Sequence, residues 1–152
     1  MPERAWLPDL HLHSTAEEVT ALLAALLPAL ERRFQSVAAE LQLTRPQAQL
    51  LAQLPPDQAL SQREMSLRLH CAPSSVVGLT DTLEQRGWLT RRVDAADRRV
   101  NTLVLTPAGS EARERLLRHL LDPPRAIRRL PRPAQQTLRD VLRGVVEELE
   151  NQ

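Results

Sequence analysis

The 152-residue chain has no tyrosine, one phenylalanine and two tryptophans. Any core must therefore be built from leucine, valine and alanine, and a stacked aromatic ligand would find little to stack on. A single cysteine, Cys71, excludes an internal disulfide framework and fits a cytoplasmic protein. No run approaches the roughly 20 apolar residues that span a bilayer. The opening MPERAWLPDLHLHS has no apolar stretch of the kind a secretory signal needs. Lysine is absent, so all 20 basic residues are arginine. A GC-rich genome is the bland cause, but arginine is also the better residue for bidentate contacts to phosphate and guanine. There is no glycine-rich phosphate loop, no nucleophile–base spacing and no metal-ligand spacing, which argues against an enzyme and against a cofactor. His11 and His13, with Asp9 near, come closest to a metal site, and two histidines are too few. The net charge of +1 does not by itself indicate nucleic acid. The positive charge is nevertheless clustered, over residues 86–99 and 125–132.

The composition favours helix, since Ala, Leu, Arg, Gln and Glu are good helix formers. Residues 1–13 hold two prolines and no clear period, and read as an arm. Ser14 and Glu17 form a capping box. After it, Val19, Leu22, Leu23, Leu26, Leu27, Leu30, Phe34, Val37, Ala38 and Leu41 recur at helical spacing. Pro28 inside this run is expected to kink it. A helix of this extent is roughly 40 Å long, and a second subunit is the simplest cover for so much apolar face. Further capping boxes at Thr44/Gln47 and Ser61/Glu64 open two short helices. The second is followed by a turn at residues 71–73 and by another helix that begins near Pro73 and stops at Gly87. On that helix Val76, Leu79, Thr80 and Leu83 share one stripe, and Ser74, Ser75, Gly78 and Thr82 the opposite one.

Two helices joined by so short a turn make a helix-turn-helix. The runs 88–93 and 100–105 can pair as strands around an Asp/Arg-rich tip and add a wing. Thr106 and Pro107 open another helix, Pro123 and Pro124 interrupt the chain, and a last helix from about Ala134 to Leu149 carries Leu138, Val141, Leu142, Val145, Val146 and Leu149 near heptad spacing. The expected fold is mainly α (α+β). It has an arm at residues 1–13, a helical dimerisation region formed by 14–42 and 107–152, and a winged helix-turn-helix for DNA over 43–106.

The segments LTRPQAQLLAQL (43–54), LSQREMSLRL (60–69) and LEQRGWLTRRVDAADRRVNTLVLTPAG (83–109) resemble the MarR family, the multiple-antibiotic-resistance type of winged-helix transcriptional regulators. DAADRRVNTLVLTPAG, residues 94–109, is the most specific part. The resemblance implies a cytoplasmic homodimer whose first and last helices intertwine and whose two winged helices bind a pseudo-palindromic operator in double-stranded DNA. It also implies a repressor of a nearby gene, relieved by a small, often aromatic or phenolic, ligand or by cysteine oxidation. A winged helix used only to bind protein is the alternative.

The resemblance puts Arg98 where the family inserts an arginine into the minor groove, whose negative potential attracts a guanidinium. Arg99 lies beside it, and Asp94 and Asp97 are expected to hold the tip and orient the arginines. On the preceding helix, Ser74 and Ser75 can donate to phosphate or base edges, although simple capping is the bland role for Ser74. Thr82 and Gln85 can face DNA as well. The family often carries a basic or large polar residue where this chain has Gly78. Glycine costs about 1 kcal/mol against alanine in a helix, which suggests close backbone approach and puts more weight on the wing. Arg86, Arg91 and Arg92 are candidate phosphate clamps, though some of them must pair with Asp81, Glu84, Asp94 or Asp97. Arg125, Arg128, Arg129 and Arg132 suit a solvated face, a backbone contact or an inter-subunit ion pair. Cys71 does not match the peroxide-sensing position of some relatives and reads as a structural thiol. His13, Phe34, Met65 and Trp88 are the positional candidates for a ligand pocket between the lobe and the dimerisation helices. Trp6 is expected to dock on the partner.

Overall fold

Three of the helices end in the same way, and only one of the three shows the usual glycine in the sequence. In each, the residue after the C-cap takes a left-handed conformation: Gln42 (φ 54°), His70 (φ 50°) and Gly87 (φ 69°). The two amides that close each motif bond back to carbonyls in the last turn. Leu43 N–H reaches the Ala38 oxygen, Cys71 the Ser66 oxygen and Trp88 the Leu83 oxygen, at 2.9, 3.1 and 2.9 Å. These are Schellman closures, and they satisfy carbonyls that a helix end otherwise leaves unpaired.

The computed structural model describes residues 13–93 and 101–151. The arm up to residue 12, with Trp6, Asp9 and His11, and the hairpin tip with Asp94, Asp97, Arg98 and Arg99 lie outside the described residues. The element order is α1 (Thr15–Glu40), α2 (Arg45–Gln53), β1 (Leu60–Ser61), α3 (Gln62–Arg68), α4 (Pro73–Gln85), β2 (Leu89–Val93), β3 (Asn101–Leu105), α5 (Pro107–Leu121), α6 (Arg125–Arg128) and α7 (Arg132–Glu150). The mainly helical class with a small antiparallel sheet is as expected. Glu17 and Glu64 reach back to the main-chain N–H of Ser14 and Ser61, and Gln47 to that of Thr44. Pro28 lies within α1 without dividing it. No described helix is long and apolar enough to cross a membrane.

The chain divides into two compact units, Met1–Leu120 and Leu121–Gln152. In the first, a three-stranded antiparallel sheet has the order β1-β3-β2, with Leu60 opposite Leu103, Leu89 opposite Leu105 and Val93 opposite Asn101. Strand alternation turns Leu89, Leu103 and Leu105 inward onto Leu50, Leu51, Leu54, Met65, Val76 and Leu83. Val37 and Ala38 of α1 and Ala112 and Leu116 of α5 complete this aliphatic core, and Phe34 and Trp88 pack at its margin. Arg33 Nη2 donates to the His119 carbonyl at 2.7 Å, and His119 Nδ1 lies 2.9 Å from Glu40 Oε2, joining α5 to α1. Much of α1 remains uncovered, with Leu22, Leu26, Leu27 and Leu30 all more than half exposed.

The second unit holds α6 and α7. Leu138, Val141, Leu142, Val145 and Leu149 follow helical spacing on α7, and no described residue of that helix is buried. Arg139 hydrogen-bonds Asp140 at 2.8 Å and holds its carboxyl below the usual carboxylate value. Arg128 lies 3.6 Å from Asp122, while Arg125, Arg129 and Arg132 are exposed.

Candidate nucleic-acid interface

Helix α4 is laid down by its inner stripe. Val76, Thr80 and Leu83 are fully buried and Leu79 half-buried, four positions on one face. That burial turns Ser74, Ser75, Val77, Gly78 and Gln85 out to solvent, and leaves Thr82 half-buried at the edge of the outer face. The helix starts at Pro73, where the missing N–H would have been unpaired anyway. The N-cap is Ala72, which has no side-chain acceptor. Ser74 and Ser75 thus sit inside the first turn and do not occupy the cap. Of their two amides, the one on Ser75 bonds to the Ala72 carbonyl at 2.9 Å.

At Gly78 an added Cβ would meet nothing within 4 Å. The glycine therefore makes no room for a neighbour within the protein. Its bareness is directed outward, on the same face as Ser74, Ser75 and Val77.

The three arginines expected to clamp phosphate separate into different environments. Arg92 is exposed on β2. Arg86 is exposed but folds back onto the end of α1: its Nη1 and Nη2 donate to the carbonyls of Leu41 and Gln42 at 2.8 and 2.7 Å, and its guanidinium lies 5.2 Å from the centre of the Trp88 ring. It thereby binds two carbonyls at the end of α1. Arg91 is held by α4. It donates to Glu84, to Asp81, to the Thr80 hydroxyl and to the Val77 carbonyl. Its Nε is buried without a partner. Of the acids that could have paired with these arginines, Asp81 and Glu84 take Arg91. Sequence could not assign these partners, since Arg86 reaches back 45 residues to Leu41 and Arg91 acts across two elements.

The hairpin is anchored at a tight junction. Thr106 N–H donates to the Trp88 carbonyl at 3.1 Å, the Thr106 hydroxyl donates to the Gly87 carbonyl, and Gly109 N–H donates to the Thr106 hydroxyl at 3.0 Å. A Cβ at Gly109 would overlap the Trp88 carbonyl, so only glycine fits where α5 crosses the base of the hairpin. This requirement was not apparent in the sequence beyond the motif itself.

The four residues suggested for a ligand pocket do not gather at one place. Met65 is fully buried in the core, and Phe34 and Trp88 pack at its edge. His13 is exposed just before α1, about 30 Å along the helix axis from Phe34 at 1.5 Å per residue. His13 and Phe34 therefore cannot line one cavity within a protomer. Cys71 is a free thiol, half-buried in the turn between α3 and α4 and packed against the core.

Residues 43–100 match the model of the MarR family. Among solved structures, a MarR family protein from Bacillus stearothermophilus is similar at 22% identity and TM-score 0.79, over 90% of this chain and 96% of that one. A MepR variant from S. aureus bound to an oligodeoxyribonucleotide is similar at 19% identity and TM-score 0.62, over 86% and 97%. CouR from Rhodococcus jostii RHA1 bound to p-coumaroyl-CoA is similar at 23% identity and TM-score 0.66, over 88% and 95%. A search of the curated proteins gives no match.

Proposed function

We propose that the chain, whose residues 43–100 match the model of the MarR family, is a transcriptional regulator of that type: a cytoplasmic homodimer that binds a pseudo-palindromic operator and represses transcription. The observation that carries this reading is the outer face of α4. Its inner stripe is fixed by the core, its outer residues are small or polar, and no described residue lies within 4 Å of where a Cβ on Gly78 would stand. A helix so presented suits the major groove, which admits an α-helix. Ser74 and Ser75 near its N-terminus donate to phosphates or base edges, and Thr82 and Gln85 extend the contact. Arg92 supplies a phosphate contact from β2, and Arg98 with Arg99 enters the neighbouring minor groove, their orientation set by Asp94 and Asp97. Arg86 and Arg91 hold the reading elements in place, because the groups that would meet phosphate already have partners. The oligonucleotide complex of MepR, a protein of the same fold, supports this reading.

Residues 14–42 and 107–152 serve dimerisation. The support is the apolar face of α1 and that of α7, each left open to solvent along most of its length. A small ligand relieves repression, as the CouR complex with p-coumaroyl-CoA suggests for this fold. Phe34, Met65 and Trp88 mark the part of the lobe where such a ligand would act.

The test is binding of the purified protein to its own upstream DNA by fluorescence anisotropy, with light scattering for mass. A dimer that binds this DNA, with Arg98→Ala at least tenfold weaker, is the expected result. A dimer that binds no DNA and is unaffected by Arg98→Ala would instead favour a protein-interaction winged helix.

A further inference from the structure

We propose that Val77 is a base-reading residue of α4 and that its partner is the C5-methyl group of thymine in the major groove. This rests on the DNA-binding reading above and deepens it. The two adjacent valines of α4 have opposite environments: Val76 is fully buried, whereas Val77 is 42% exposed on the outer face. That face bears no basic side chain before Arg86, so the arginine–guanine contact that commonly specifies sequence is not available to it. The exposed large apolar side chain it offers between Ser74 and Gln85 is Val77, whose two methyl groups stand beside a bare Gly78.

Three features fit those methyls for recognition. The Val77 carbonyl accepts from both Arg91 Nη2 at 3.1 Å and the Thr80 hydroxyl at 2.8 Å, so the backbone beneath the side chain is tied to the sheet. A β-branched residue in a helix has essentially one χ1 rotamer, so the methyls occupy fixed positions. Gly78 adds no Cβ to the face beside them, which lets the helix come close enough for van der Waals contact with a base edge. Asp81, one turn further on, is neutralised by Arg91 and does not oppose that approach. Among the four bases only thymine presents a methyl group in the major groove, so an apolar contact there discriminates against the other three.

The experiment uses the full-length dimer and its own upstream DNA, amplified either with thymidine or with deoxyuridine triphosphate. Uracil removes the methyl and keeps base pairing. The expected result is that the wild type binds the uracil duplex about tenfold more weakly than the thymine duplex. Val77→Ala should bind thymine DNA correspondingly more weakly and no longer distinguish the two, while Val77→Ile should retain the discrimination. Each variant's thermal midpoint is measured alongside to verify folding, which an exposed site should leave intact. Equal wild-type affinity for both duplexes, or an unchanged thymine-to-uracil ratio in Val77→Ala, overturns the assignment and leaves DNA binding standing. Failure of the wild type to bind either duplex overturns the DNA-binding reading and this assignment with it.

Discussion

Arg91 and Glu84 are joined twice: the Arg91 main-chain N–H donates to Glu84 Oε1 at 3.2 Å, and Arg91 Nη1 donates to Oε2 at 2.8 Å. One bond fixes the strand and the other the side chain, so β2 is registered on α4 by a single carboxylate. Asp81 holds the same guanidinium one turn earlier. Arg91→Ala should therefore weaken DNA binding by loosening the angle between helix and hairpin, without removing a phosphate contact. The slope of log affinity against log salt should stay at the wild-type value. Arg92→Ala should lower it by about 0.9, the amount expected for one phosphate contact. Anisotropy titrations at several salt concentrations separate the two, and a reduced slope in Arg91→Ala would show that this arginine meets DNA after all.

Gly109→Ala should destabilise the fold by at least about 2 kcal/mol, because the new methyl group overlaps a main-chain carbonyl that is itself bonded to Thr106 and cannot give way. Chemical denaturation measures this directly. A variant as stable as the wild type would mean that α5 can slide off the base of the hairpin.

Gly78→Ala should act in opposite directions on stability and binding. The methyl meets none of the described residues within 4 Å, so helix propensity should raise stability by about 1 kcal/mol. The same methyl stands on the face assigned to the groove and should lower DNA affinity severalfold. A thermal melt and a binding isotherm on one preparation check both, and unchanged affinity would remove Gly78 from the interface.

Gln42→Gly should stabilise the protein by about 1 kcal/mol, since a side chain pays a steric cost in the left-handed region that glycine does not. The bonds from Arg86 reach main-chain oxygens and survive the change. Urea unfolding curves are the measurement, and a loss of stability would mean that the glutamine side chain contributes more than its backbone costs.

Leu142→Asp combined with Val145→Asp should halve the solution mass found by light scattering, because both sit on the apolar face of α7. DNA affinity should fall with it as the second half-site contact is lost. A mass unchanged at micromolar concentration would place the dimer contact elsewhere.

Much of the architecture could be read in the chain because the relevant physics is local. Ser14 with Glu17 and Ser61 with Glu64 announce helix starts three residues in advance, and the steps of three and four among Val76, Leu79, Thr80 and Leu83 give the inner face of α4. What could not be read was any feature settled by partners distant in sequence. Arg86, Arg91 and Arg92 are alike as letters, yet the first caps α1 from an exposed position, the second braces α4 half-buried, and the third lies exposed on β2. The left-handed turns at Gln42 and His70 were equally hidden, because the glycine that usually signals them is missing. At Gly87 the signal was present and legible.

The grip of Arg86 on Leu41 and Gln42 has a mechanical meaning. It welds the last turn of α1 to the last turn of α4, with the Trp88 ring beneath the joint. Strain applied along α1 is delivered to the lobe as a torque on the whole body, not as a swivel of α4 inside it. In the dimer proposed above, a ligand would therefore act by changing the distance between the two lobes and not by turning α4 within one.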